Sequence, residues 1–161
     1  MSTPTSVDDS GAELGIPAGF RVLFGLTDFV GINGPLYIRQ SKKSEPGTPF
    51  VQLGFRVESR HCNPMGNCHG GMMATFCDML LPMSIHRLSP EVGNRFLPTV
   101  SLQIDYLGPA ALGTWVQGEA QVLRVTRSMV FAQGLVTADD VPAARTSAIF
   151  KIGAPFNPPS R

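Results

Sequence analysis

The sequence predicts an α+β domain in which an antiparallel sheet of about five to six strands wraps around one long central helix. Three observations lead there. Met72, Met73, Phe76, Met79, Leu80, Met83 and Ile85 cover every side of a helical wheel, so the helix that carries them should be buried all round. Segments before and after it alternate apolar and polar residues with the period of a strand. Small residues recur along the later segments, at Gly118, Ala120, Ala132, Gly134, Ala144 and Ala148, and a sheet face lined that way lets a helix lie close.

In chain order, residues 1–15 are rich in Ser, Thr and Gly and read as a tail without regular structure, and residues 16–153 read as a single domain. Pro17 suits the first turn of a helix, and Phe20, Leu23, Phe24 and Phe29 predict a short amphipathic one reaching about Phe29, broken by Gly31-Ile32-Asn33-Gly34. Leu36 to Gln40 and Val51 to Glu58 read as strands separated by a Pro/Gly turn. The central helix is expected over residues 69–86, with a kink or an early end at Pro82, whose missing N–H would have bonded the carbonyl of Asp78. Thr99 to Tyr106 alternates cleanly, and Trp115 to Val125 slips its alternation near Leu123, which predicts a bulge. Met129 to Ala138 should pair with Ala143 to Ile152 across a tight turn at Asp139-Asp140. Residues 154–161 read as an exposed tail.

Composition narrows the partners. The net charge is +1 with no strongly basic stretch, which argues against nucleic acid and against an acidic membrane surface. Three cysteines are an odd set for a disulfide framework, and no basic n-region with an apolar run opens the chain, so a reducing cytoplasm is the expected location. No apolar run approaches the roughly 20 residues of a membrane span.

Chemistry concentrates where a polar, glycine-bearing loop runs into the apolar helix. That helix holds one acid, Asp78, and an ionised acid on a buried helix is costly unless it is paired or catalytic. The helix start offers unpaired N–H groups, and Gly70 and Gly71 let a substrate approach them.

The run His61-x-Asn63-x-x-Gly66-x-x-His69-Gly70-Gly71, with Asp78 seven residues beyond the last glycine and Asp105-Tyr106-Leu107-Gly108-Pro109-Ala110 later, resembles the hotdog-fold acyl-CoA thioesterases. The nearest group is the HGG-motif, phenylacetate-degradation type, and the likeness covers residues 34–153. It implies hydrolysis of an acyl-CoA to free acid and CoA, with no metal and no cofactor, in a homodimer or dimer of dimers whose sites lie at the interface. It implies that Gly70 offers its N–H to the thioester carbonyl, that Asn63 helps hold the carbonyl or water, and that Asp78 is general base or nucleophile. Thr99 matches the Ser/Thr that orients water. His69 and Gly71 border the substrate, and Arg127-Ser128 matches a CoA phosphate contact.

Spacing adds an argument independent of the likeness. Gly70 and Asp78 are eight residues apart, about 12 Å along a helix, so one carbonyl cannot use both from the same chain. An antiparallel copy of the helix across a twofold axis can supply the second group.

Other readings stand beside these. Asp78 could be paired with His86 or an arginine, Asn63 could be a turn residue before Pro64, and Thr99 could simply continue a polar strand face. His69 is expected to fix the loop through backbone hydrogen bonds rather than to move protons. His61, Cys62, Cys68 and His69 have zinc-type side chains, but they lack the usual ligand spacing. A non-catalytic acyl-CoA-binding or sensing protein, or a hotdog hydratase built on His69, would use the same fold.

Overall fold

The computed structural model describes residues 15–23, 28–41 and 47–156. The predicted N-terminal tail, apart from Gly15, and the C-terminal residues from Asn157 onward lie outside the described residues. Strands β1 (Arg21–Val22), β2 (Tyr37–Gln40), β3 (Val51–Arg56), β4 (Thr99–Tyr106), β5 (Trp115–Val125), β6 (Met129–Ala138) and β7 (Val141–Lys151) form one antiparallel sheet, in the order β1-β2-β3-β5-β6-β7-β4. Helix α1 (Asp28–Asn33) is short, and helix α2 (Gly70–Leu88) is the central one. None of the described helices is long and apolar enough to cross a membrane.

The sheet has seven strands rather than five to six, and the difference begins at the N-terminus. Residues 20–23 do not form the predicted helix. Arg21 and Val22 pair with Ile38 and Tyr37, while the Phe20 ring meets Trp115 edge-on at 5.1 Å and lies under the Arg39 guanidinium at 4.8 Å. Partners far along the chain outweigh a weak local helical period there. The helix forms later and runs through Gly31-Ile32-Asn33, the run expected to break it.

The later strands follow their side-chain pattern. Leu123 is skipped between the pairs Val122–Ala132 and Arg124–Phe131, so the bulge falls where the alternation slips. Asp139 and Asp140 both adopt positive φ, 44° and 66°, the two-residue hairpin turn whose twist matches the strands. Ala154 to Phe156, read as tail, are instead pinned to the loop before β4. Phe156 N–H donates to Asn94 O (2.9 Å), Phe96 N–H donates to Ala154 O (2.9 Å), and the Phe96 and Phe156 rings stack at 6.2 Å.

Helix α2 passes through Pro82 and ends only at Leu88. Phe76, Leu80, Leu81 and Ile85 are fully buried against Leu53, Phe55, Val116, Val136 and Phe150 of the sheet. Each such side chain contributes about 1.5–3 kcal/mol of apolar burial. The small-residue face permits this approach. A methyl group at Gly118 would stand 2.5 Å from Leu80 Cδ2 of the helix, while one at Gly134 would press on the adjacent strand instead, 2.9 Å from Glu119 O.

The helix is not buried all round in this single chain. Gly71, Ala74, Thr75, Asp78, Met79, Pro82, Met83 and His86 recur at three- and four-residue spacing and form a continuous, partly exposed stripe. Replacing Gly118 by Val should destabilise the fold by about 1–3 kcal/mol, because Leu80 has no free space to retreat into. Thermal unfolding would register this, and an unchanged midpoint would show that the helix does not depend on that close approach.

Candidate active site

The loop ahead of α2 is built from backbone pairing and two polar side chains. His69 N–H donates to His61 O (2.7 Å), Asn63 N–H to Asn67 O (2.8 Å), and Cys68 N–H to Ala110 O (2.7 Å). Asn63 Oδ1 accepts from the N–H groups of Met65 (2.9 Å) and Asn67 (3.2 Å). Its carboxamide oxygen is thus occupied as a turn residue, and no hydrogen bond joins it to Asp78 or Gly70 among the described residues. His61 is buried. Its Nδ1 accepts from Glu58 N–H (3.0 Å), and its Nε2 donates to Asn33 O (3.0 Å). Burial, then the neighbouring Arg60, push its pKa below the ordinary histidine value.

His69 caps α2. Its Nδ1 accepts from Gly71 N–H at 2.9 Å, the structural role expected of it. Met72 and Met73 donate their N–H groups to His69 O (2.9 and 3.1 Å). Gly71, Met72 and Met73 are therefore satisfied locally, whereas Gly70 N–H has no acceptor among the described residues. One donor remains at the positive end of the helix, where a developing oxyanion would be stabilised.

Asp78 lies two turns further on, on the open stripe. Thr99 Oγ1 donates to Asp78 Oδ1 at 2.7 Å, which orients the carboxylate and leaves Oδ2 available. No ion pair joins Asp78 to His86 or to an arginine among the described residues; His86 Nδ1 instead lies 3.2 Å from Gly93 O. Asp78 and Thr99 sit on the wall of a cleft of about 720 Å³, together with Met79, Pro82, Met83, Phe96 and Leu97. Arg87 and Arg95 stand elsewhere on the same wall.

Of the predicted site residues Asp78 and Thr99 line this cleft, Asn63, His69, Gly70 and Gly71 lie at or just ahead of the helix start outside it, and two belong to neither place. Arg127 and Ser128 are exposed at the β5–β6 turn and do not line the cleft. Two contributors went unrecognised in the sequence. Tyr106, read as the end of an alternating strand and part of a turn motif, donates its hydroxyl to Gly70 O (2.8 Å) and ties the helix start to β4. Phe156, read as tail, closes one side of the cleft. Tyr106 shares the β4 face of Leu102 and Ile104 in the alternation, which could have flagged it, but no local pattern marks Phe156. The described residues contain no group of three or more His, Cys, Asp or Glu arranged to hold a metal.

One long helix held in an antiparallel sheet, with an acid on its open stripe and a free N–H at its start, defines a hotdog-fold thioester hydrolase. The comparisons agree. Residues 65–144 match the Thioesterase superfamily. The Pseudomonas aeruginosa protein PA0474, named as an esterase, is 27% identical over 141 residues, which cover 86% of this chain and 98% of that protein. Human acyl-coenzyme A thioesterase 13 is 33% identical over 89 residues, covering 53% of this chain and 58% of that protein, so the likeness spans little more than half of that relative's length. The crystal structure of zebrafish thioesterase superfamily member 2 superposes with a TM-score of 0.59 at 28% identity, covering 72% of this chain and 81% of that one. The chain belongs to the Thioesterase superfamily of hotdog-fold proteins.

The hydrogen bonds of His61 suit only a neutral ring, since a proton on Nδ1 would face the Glu58 N–H. Its folded pKa lies below the unfolded value of 6.5, so the unfolded chain binds the proton first and stability is lost as pH falls below about 6.5. Denaturant midpoints measured from pH 7.5 down to 5 should fall with a slope that His61→Gln reduces. An equal slope in the variant would remove His61 from that account.

Proposed function

We propose that the chain hydrolyses acyl-CoA thioesters at a site shared by two copies of itself, with Asp78 of one copy and Gly70 N–H of the other acting on one carbonyl. The observation that carries this reading is the pairing of a free helix-start N–H with an oriented carboxylate eight residues away, about 12 Å along α2 and too far to serve one substrate in cis. The name of the acyl-coenzyme A thioesterase relative supports the substrate class.

An antiparallel second helix that brings its Asp78 to this Gly70 puts the twofold axis near Ala74, the midpoint of the two. Ala74 is small and lies on the open stripe, as close passage of two helices needs. Strand β4 is a sheet edge with Val100 and Tyr106 more than half exposed, and an unpaired apolar edge of that length invites a second copy. In this assembly the stripe of α2 is covered, and the helix becomes buried on all sides.

In the proposed reaction Thr99 holds Oδ1 of Asp78 and Oδ2 takes a proton from water as the water oxygen attacks the thioester carbonyl carbon. The negative charge that develops on the carbonyl oxygen is met by Gly70 N–H of the second copy, a donor of a kind worth roughly 3–4 kcal/mol in the transition state. Collapse expels the CoA thiolate, which takes the proton back from Asp78. The acyl group lies in the apolar cleft beside Met79, Met83 and Phe96. The flexible methionines suit acyl groups of varied shape.

Release of free CoA from a panel of aromatic, medium-chain and long-chain acyl-CoAs tests this. Asp78→Asn should lower the rate about 10²- to 10⁴-fold. Thr99→Val, which leaves the carboxylate in place but unheld, should lower it about 10- to 100-fold. Equal rates in wild type and Asp78→Asn would reject the assignment, and binding without release from any member of the panel would point to a sensing protein instead.

A further inference from the structure

Cys62 and Cys68 are cross-strand partners in the short antiparallel pin that ends at His69. The type of pair follows from the bonds around it. His69 N–H donates to His61 O (2.7 Å) on one side and Asn63 N–H donates to Asn67 O (2.8 Å) on the other, while Cys62 and Cys68 exchange none. They are a non-hydrogen-bonded antiparallel pair, in which the Cα atoms approach to about 4.5 Å and both side chains leave the same face. That separation falls inside the Cα range a disulfide can span, about 4.4–6.8 Å, at its short end. Both thiols are free, and each now turns to a carbonyl: Cys62 Sγ to Glu58 O (3.4 Å) and Cys68 Sγ to His69 O (3.8 Å). Rotation of the two side chains turns the sulfurs toward each other, and a small widening of the pin completes the bond. The third cysteine, Cys77, is buried in α2, and burial pushes its thiol up to about 12, so it stands outside the exchange.

We infer that Cys62 and Cys68 form a reversible disulfide with small-molecule disulfides such as oxidised glutathione, and that this bond slows the site at Gly70. The consequence for turnover rests on the function proposed above; formation of the bond does not. Cys62 Sγ gives its proton to solvent and attacks one sulfur of the oxidised glutathione, displacing a first glutathione thiolate. Cys68 Sγ then loses its proton and attacks Cys62 Sγ, displacing the second. Two protein thiols and one small disulfide become one protein disulfide and two small thiols, so the cysteine pair is oxidised by two electrons and the glutathione disulfide is reduced by two. Cys68 is the more protected thiol, with burial and the neighbouring Cys62 raising it to about 11, so Cys62 reacts first.

The site feels the bond through the backbone. Disulfides favour a Cα separation of about 5.5–6 Å, wider than this pair type, so closing the bond spreads the two arms of the pin. One arm runs directly into His69 and Gly70, whose N–H must meet a carbonyl oxygen within tenths of an ångström. The other arm carries Asn63, whose side chain holds the turn.

Incubation of the folded protein with oxidised glutathione, followed by quenching, denaturation and alkylation, reads the bond itself. The alkylatable thiols should fall from three to one, with a mass loss of two hydrogens and no glutathione adduct. Hydrolysis, followed by thioester absorbance so that thiols do not interfere, should fall about tenfold or more and return with dithiothreitol. Cys62→Ser should hydrolyse at the wild-type rate and be insensitive to the same treatment. Three alkylatable thiols after treatment, or a persistent glutathione adduct, would overturn the proposal. So would a formed disulfide with undiminished hydrolysis. A chain that forms the bond but hydrolyses no acyl-CoA even when reduced would fail the functional reading instead.

Discussion

Helix α2 can lie where it does because Gly118 puts no side chain between it and the sheet. From that approach the rest of the arrangement follows. Leu80 occupies the space a Cβ at Gly118 would need, Phe76 and Ile85 bury to either side, and the angular position of the helix about its own axis is set. The stripe left over faces away from the sheet and carries Asp78. Strand β4 then ties the helix at two heights, through the Tyr106 hydroxyl on Gly70 O and the Thr99 hydroxyl on Asp78 Oδ1. The same edge strand therefore positions both groups to which the proposed chemistry is assigned.

A division of labour runs through the loop ahead of the helix. Most of its polar groups satisfy one another: His61 links Glu58 to Asn33, Asn63 closes its own turn, and His69 takes the Gly71 N–H. The accepting atoms of these side chains are engaged within the loop, while the carboxamide N–H groups of Asn63 carry no hydrogen bond among the described residues. Among the first backbone N–H groups of the helix, that engagement leaves one without an acceptor among the described residues, the Gly70 N–H. Preorganised donors act strongly because little reorganisation is needed when charge develops, and a loop with its side chains already engaged has little room to reorganise.

Much of this was legible in the sequence because it rests on local rules. Strand alternation, the slip at Leu123, the Asp139-Asp140 turn and the small-residue face are each written in consecutive residues, and each appears in the structure. The misreadings have one physical source, namely partners distant in sequence. Phe20 to Leu23 have a weak helical period, and only Ile38, Tyr37 and Trp115 make them extended. Phe156 looks like tail until Asn94 and Phe96 hold it. The meeting of Thr99 with Asp78, 21 residues earlier, follows from strand order rather than spacing. An available N–H at the helix start was expected, but that Gly71, Met72 and Met73 are engaged and Gly70 is not depends on where His69 sits.

The central claim, that one carbonyl is served by two copies, is tested most directly by mixing two inactive proteins. Asp78→Asn removes the base. Gly70→Pro removes the N–H with little disturbance, since proline is tolerated at the first helical position and His69 already has the extended backbone that precedes proline (φ −63°, ψ 140°). Random mixing makes half of the dimers mixed, and each of those contains one intact site, so co-refolded protein should recover about a quarter of wild-type turnover. If the mixture stays as inactive as its parents while mixed dimers are demonstrably present, the two groups act within one chain and the account fails.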